Sequence, residues 1–305
     1  MQSTVESDLV YFLHIPKTSG MSLRESFLRV YGPEAAADGL LWDDLVNGTY
    51  QLPERPRIIT GHLGGFLPLW LKRWPRIVTM LREPLARALS HINHVQREQG
   101  HPLHPLSAGL TVDQYCEHPV LRRTVDNFQS RYLASLDFAL ALMPRPPERR
   151  GHEPYGSVSV SFENALYSLD KETGLLDGAV RALNAIDAVG ICEAHGTSLR
   201  VFATALGWDV ETVEFGLNRA TGQRTLGDLS RAEMNALTSL NLIDAQVYYH
   251  AMGKLYRLCC QYGIEVNERE RSALTQRGVP VAGDTVGEFV WAVGERNSDR
   301  PASLA

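Results

Sequence analysis

Residues 12–32 read FLHIPKTSGMSLRESFLRVYG, an apolar run followed by a polar turn and a helical pattern. The apolar run VYFLHI, residues 10–15, has the composition of a buried strand. SLRESFLRVYG, residues 22–32, repeats apolar side chains at helical spacing and ends on a glycine stop. Between them lies the turn Pro16-Lys17-Thr18-Ser19-Gly20. A helix N-terminus presents unpaired backbone N–H groups and the positive end of the helix dipole, so such a turn is a ready anion site. Gly20 lets the backbone come close to a ligand. Thr18, Ser19 and Ser22 add hydroxyl donors, and Lys17 adds a cation at the lip. The set suits a phosphate or sulfate group. The competing reading has Ser19 capping the helix and Lys17 as an exposed surface charge. The Walker A pattern, G-x-x-x-x-G-K-[ST], is absent, because this lysine precedes its glycine and has no upstream glycine cradle. An ordinary ATP or GTP site is therefore disfavoured.

Working outward, RIITGHLGG (57–65) and RIVTMLREP (76–84) read as two more short core strands, each followed by a loop. LARALSHINHVQREQG (85–100) reads as a helix closed by glycine, with Pro84 just before its first turn. Residues 111–134 and 161–186 read as mostly helical. DAVGICEA (187–194) is a further strand, and HGTSLRVFATALG is the helix after it. SRAEMNALTSLNLIDAQVYYHAMGKLYRLCCQYG supplies one or two long helices. Strands alternating with helices predict an α/β fold, a P-loop-like open and mostly parallel sheet with helices on both faces. We expect one domain over residues 1–266 and a C-terminal extension, 267–305, disordered at its end. MPRPPERRGHEPYG (143–156) reads as a loop and as a candidate lid on the acceptor side.

The chain has 305 residues, 44% hydrophobic and 21% charged, enough to bury a large core. A net charge of -5 argues against a general nucleic-acid partner. The four cysteines lack CxxC spacing and read as free thiols of a reducing compartment. The N-terminal residues have neither a basic region nor a long apolar run, and no later segment reaches about 18 uninterrupted apolar residues. We therefore expect a cytoplasmic protein with no membrane partner.

The turn resembles the 5′-phosphosulfate loop of the sulfotransferases, in the H-I-P-K-T-x-G-x-S form of the heparan sulfate 2-O-sulfotransferase-like branch, which includes bacterial biosynthetic sulfotransferase domains. LREPLARALSH is similar to that family's R-[DE]-P-x-x-R-x-x-S element, which binds the donor's 3′-phosphate, with Arg82 and Ser90 at the binding positions. Weaker likenesses extend from about residue 9 to about residue 262. TGHLGGF places His62 at the family's catalytic histidine. DNFQSRYLA resembles an N-x-Q-x-R-x-L element carrying Asn127, Gln129 and Arg131. VGICEAHGTSL places Glu193 at an acidic position, and NRATGQRTL resembles a loop over the donor with Arg224 as its contact. Met21 stands where the family often has a small residue or threonine, so one loop contact must come from backbone. Cys192 stands where threonine is common.

The resemblance implies 3′-phosphoadenosine-5′-phosphosulfate (PAPS) as sulfuryl donor, 3′,5′-ADP as product, an acceptor hydroxyl and no metal. In-line transfer needs a base for the hydroxyl proton, cations for the leaving phosphate, and alignment. His62 suits the first demand, and Lys17 the second. Arg82 pairs with the 3′-phosphate, Ser90 adds a hydroxyl, and residues 17–22 with Arg224 complete the donor site. Gln129 and Arg131 either orient the acceptor or tie helix to sheet. Glu193 either positions a catalytic group or is structural. His91 and His94, three apart on one helix, line the acceptor side or belong to a solvated face; without cysteine partners a metal site is disfavoured. The expected acceptor is the β-hydroxyl of a chain bound to an acyl carrier protein. A saccharide or small alcohol is the alternative. A kinase-like phosphotransferase and a non-catalytic nucleotide-binding module are the competing classes.

Overall fold

The computed structural model describes residues 9–143, 174–209 and 223–275. Five strands form one sheet: β1 Val10–Leu13, β2 Ala36–Leu40, β3 Ile58–Gly61, β4 Arg76–Leu81 and β5 Ala188–Ile191. Their order is β2-β3-β1-β4-β5, and every pairing is parallel. Val10 pairs with Ile58 on one side and Arg76 on the other, so β1 is the centre of the sheet. All four residues of β1, β3 and β5 are buried. Side chains alternate between faces along a strand, so burial of all four means that both faces are covered. The expected open parallel α/β sheet is thus the observed one.

The longer helices are α1 Gly20–Tyr31, α2 Pro84–Arg97, α3 Phe128–Leu142, α4 Leu175–Ala185, α5 His195–Leu206, α6 Arg231–Ser239, α7 Leu242–Tyr262 and α8 Glu268–Thr275. Gly32 ends α1 at φ 79°, a left-handed stop that its lack of a Cβ permits. The segment after residue 230 divides into α6 and α7 at Leu240-Asn241. α2 ends at Arg97, three residues before the glycine expected to close it. α8 lies beyond residue 266, yet its Glu270 accepts from the Gly196 N–H at 2.8 Å, which ties it to α5. Residues 144–173, which include most of the proline-rich stretch and the first half of the segment 161–186, residues 210–222, and the tail after 275 lie outside the described residues.

The buried apolar residues form two clusters, and α2 belongs to the smaller one. The larger surrounds the sheet. The smaller joins Ala88, Leu89 and Ile92 of α2 to Val112, Tyr115, Leu121 and Val125, and to Leu237 of α6. α2 is therefore held among helices, and its Arg87 is completely buried. No helix among the described residues is long and apolar enough to cross a membrane.

The sheet order reverses between β1 and β4. From β1 the chain moves first to β2 and β3 on one side, then to β4 and β5 on the other. In open α/β sheets the crevice beyond the carboxyl ends of such a strand pair is where ligands bind. Lys17 follows β1 and Arg82 follows β4, one on each side of it.

Candidate functional site

The β1–α1 turn holds two residues in left-handed backbone conformations, Lys17 at φ 73° and Ser19 at φ 65°. Each costs on the order of 1–3 kcal/mol in a residue with a Cβ, so surrounding contacts must fix the turn. Thr18 provides one of them, its buried hydroxyl donating to the Ile15 carbonyl at 2.7 Å. That hydroxyl is thus directed inward, to the strand end. Ser19 makes no side-chain cap on α1; its hydroxyl donates to the Cys192 thiol at 3.2 Å. The first turn, with Met21 and buried Ser22, carries no acidic residue. The positive end of α1 is therefore left without a side-chain cap.

Lys17 is half-buried. Burial first, then the nearby cations Arg97 and Arg82, push its ammonium pKa down, with Arg87 adding to them and one carboxylate, Glu98, opposing. A lysine in that company favours an anion beside it.

Gly20, the first residue of α1, lies against His14. A Cβ built on Gly20 would stand 1.8 Å from the His14 Nε2, so no other residue fits there without moving the imidazole. The His14 ring stacks on Phe12 at 5.3 Å and meets the His62 ring at 4.5 Å between centroids. His62 follows β3, and its Nδ1 lies 3.3 Å from the His14 carbonyl oxygen. A carbonyl only accepts, so Nδ1 carries the proton and Nε2 keeps the basic lone pair. Burial pushes the pKa of His62 below 6.5, the His14 carbonyl pulls it up, and Lys17 pushes it down. His14 is depressed to about 3 by burial, with His62 and Lys17 adding to the effect. Both imidazoles are uncharged at neutral pH.

Arg82 joins the two sides of the crevice, its Nη1 donating to the Lys17 carbonyl at 3.3 Å. Buried Gln129 holds the Arg82 backbone at both ends: the Arg82 N–H donates to Oε1 at 3.0 Å, and Nε2 donates to the Arg82 carbonyl at 2.9 Å. Glu83 caps α2, accepting from Leu85 N at 3.1 Å and Ala86 N at 2.7 Å. Glu193 in turn accepts from Glu83 N at 3.1 Å and from the Tyr248 hydroxyl at 2.7 Å. Ser90 is partly buried on α2.

Behind this layer α3 and α7 cap one another. Asn127 Oδ1 accepts from Ile243 N at 2.9 Å and Asp244 N at 3.0 Å; Asp244 accepts from Gln129 N at 3.1 Å and Ser130 N at 2.7 Å. Arg131 is buried and pairs with Asp126 at 3.4 Å. Gln129, Arg131, Asn127 and Glu193 thus bond to backbone, helix ends and internal partners.

On α2, Arg87 and His91 stand one turn apart and both face the Phe128 ring, at 4.5 Å and 6.5 Å. His91 is buried, with no hydrogen-bond partner on either ring nitrogen among the described residues, and burial, then Arg87, drives its pKa well down. The His101 ring lies 6.3 Å from His91 and 5.7 Å from His94. Among the described residues no group of three or more His, Cys, Asp or Glu is arranged to hold a metal ion. Arg224 docks on the same helix, donating to Gln96 Oε1 at 2.8 Å and pairing with Glu233 at 3.9 Å. Beside the start of α2, a cleft of about 330 Å³ is lined by Glu83, Pro84, Leu226, Ala245, Tyr248 and Tyr249.

Lys17, Gly20, His62 and Arg82 thus meet at one end of the sheet, Ser90, His91, His94 and Arg224 lie along α2, and Gln129 and Arg131 stand behind. The residues that sequence reading did not single out are His14, Glu83 and Asp244. A strand-end histidine beside P-K-T was the available signal for the first; the others reveal themselves only through partners distant in sequence. Compared with known proteins, the chain matches no protein-family model and no curated sequence.

Proposed function

We propose that this protein is a sulfotransferase that moves the sulfuryl group of PAPS to an acceptor hydroxyl, with His62 as general base. The observation that carries the reading is the meeting of three motif residues at the carboxyl ends of three strands. Lys17 after β1, His62 after β3 and Arg82 after β4 adjoin a helix N-terminus that has no side-chain cap.

The donor supplies an activated sulfuryl group whose bond to the phosphate oxygen breaks as the acceptor oxygen bonds to sulfur. The chain's own groups do the rest. The uncapped end of α1 and the strained Lys17–Ser19 turn hold the phosphosulfate by backbone N–H groups. Gly20 admits that close approach. The Lys17 ammonium neutralises charge growing on the leaving phosphate. Arg82, its backbone fixed by Gln129, offers its guanidinium fork to the 3′-phosphate, and Ser90 adds a hydroxyl. The cleft of Pro84, Leu226 and Tyr249 has apolar walls suited to a flat base.

His62 Nε2 takes the acceptor proton. In the free protein burial, and after it Lys17, depresses this base. A bound anion offsets the lysine charge and raises the His62 pKa towards neutrality, where a general base works best. The base is therefore strengthened when the donor is in place. The acceptor we propose is the β-hydroxyl of an acyl chain on a carrier protein; the net charge of -5 disfavours a polyanionic saccharide.

The test is mass spectrometry of an acceptor panel incubated with PAPS: a β-hydroxyacyl carrier protein, simple alcohols and unsulfated saccharides. His62→Ala runs in parallel. Sulfate on the carrier-bound chain, reduced about 10²- to 10⁴-fold in the variant, is the expected result. Undiminished sulfation by His62→Ala removes the histidine from its role. Sulfate on a saccharide or alcohol alone replaces the acceptor.

A further inference from the structure

We infer that His14 is the positioning residue of the base: its imidazole, wedged between Phe12, Gly20 and His62, keeps the His62 ring dry and correctly seated. The inference deepens the sulfotransferase reading and rests on it for its catalytic arm, while its spectroscopic arm stands alone.

The geometry is a ladder of rings running from the core to the base. The Trp208 indole donates to the Tyr31 hydroxyl at 2.8 Å and meets Phe27 edge-on at 5.3 Å. Phe27 packs on Phe12 at 5.1 Å, Phe12 stacks on His14 at 5.3 Å with planes 16° apart, and His14 meets His62 at 4.5 Å. Phe12 and Phe27 are each 1% exposed, so the ladder is anchored where packing is densest. Phe12 and His14 are two residues apart, as an extended chain requires for side chains on the same face.

His14 thus acts on His62 twice. Its carbonyl fixes the tautomer, and its ring covers one side of the imidazole, which removes that side from water. The near-contact with Gly20 links the same ring to the first residue of the anion-binding helix. The charged and titratable groups that act on the pair are Lys17 and the two imidazoles themselves. At neutral pH His14 is uncharged, so its influence on His62 is exclusion of water rather than repulsion.

The experiment compares His14→Ala with His14→Phe. His62 is followed by the NMR titration of its ring Cε1 proton, assigned with His62→Ala, alongside kcat, KM and 3′,5′-ADP affinity. In wild type His62 titrates below 6.5. His14→Ala admits water and moves that titration up towards 6.5. It also lowers kcat by about 10²-fold, the scale of an ångström-sized misplacement, with 3′,5′-ADP affinity changed by less than about threefold. His14→Phe keeps the ring and restores both the low titration and most of the lost rate. An unshifted His62 titration in a folded His14→Ala protein overturns the inference. So does a His14→Phe variant as slow as His14→Ala, which makes a ring nitrogen, not the ring, the active element. If wild type transfers no sulfate to any acceptor, the sulfotransferase reading fails, and the NMR arm still decides the role of His14.

Discussion

Adding a single methyl group at Gly20 should disturb the base that lies beyond His14. The Cβ of Gly20→Ala would sit 1.8 Å from His14 Nε2, 2.1 Å from Cε1 and 2.6 Å from Cδ2. Contact between such atoms is comfortable at about 3.5–4.0 Å, so the imidazole must withdraw by on the order of 1.5–2 Å. Phe12, itself buried, and His62 stand against the ring, so its withdrawal disturbs both contacts. Overpacking of this kind costs about 1–3 kcal/mol. Alanine recovers less than about 1 kcal/mol from its better helix propensity at this first helical position. The net effect expected is a loss of about 1–2 kcal/mol, read as a lower urea midpoint at unchanged slope. The displaced His14 also shifts the NMR titration of His62. A Gly20→Ala protein with the wild-type midpoint and the wild-type His62 titration would falsify the packing of His14 on this helix.

Other substitutions probe the scaffold behind the site. Gln129→Leu leaves the Arg82 N–H and carbonyl without their partner, costing about 1–3 kcal/mol; calorimetry should show weaker 3′,5′-ADP binding although Gln129 itself is buried. Asp244→Ala removes the acceptor of two N–H groups at the start of α3 and of the Ser130 hydroxyl. A cap alone is worth about 0.5–2 kcal/mol, so urea unfolding should register at least that loss. Stability should also fall with acidity. His14 titrates near 3 in the folded chain against 6.5 ordinarily, so the unfolded chain binds its proton first as pH drops. The stability it contributes is complete above 6.5 and is lost as pH falls towards 3, at about 1.4 kcal/mol per pH unit. His91 acts in the same direction, and Asp244, whose pKa burial raises, acts in the opposite one. His14→Phe should flatten the fall in urea midpoint between pH 6.5 and 5; an unchanged slope refutes burial of a neutral His14.

The central strands were legible because parallel strands buried on both faces are apolar runs. β1, β3, β4 and β5 all fall within stretches read as strands, with ends a few residues shorter. β2 was not legible. AADGL contains no β-branched or aromatic residue, and it pairs only along one edge, with a register shift between Ala37 and Leu40. Lys17 and Arg82 were visible because each stands in a short motif at a strand-to-helix turn. Asn127, Gln129 and Arg131 were visible as members of one motif, but their partners were not. Gln129 reaches Arg82 across 47 positions and Asn127 reaches Asp244 across 117, separations that no local pattern encodes. Thr18 reads as a donor to a ligand, yet its hydroxyl donates to the Ile15 carbonyl, three residues back. His14 carries its role through stacking, which periodicity does not reveal.

The nucleotide we propose for the crevice between β1 and β4 carries both a 5′- and a 3′-phosphate group. Titration calorimetry of the whole chain with 3′,5′-ADP and with 5′-ADP, repeated for Arg82→Met, addresses it directly. 3′,5′-ADP should bind at least tenfold more tightly, since a charge-assisted pair at the 3′-phosphate is worth about 1.5–3 kcal/mol, and Arg82→Met should abolish the difference. Equal affinity for the two nucleotides, or no binding of either, would contradict the proposal.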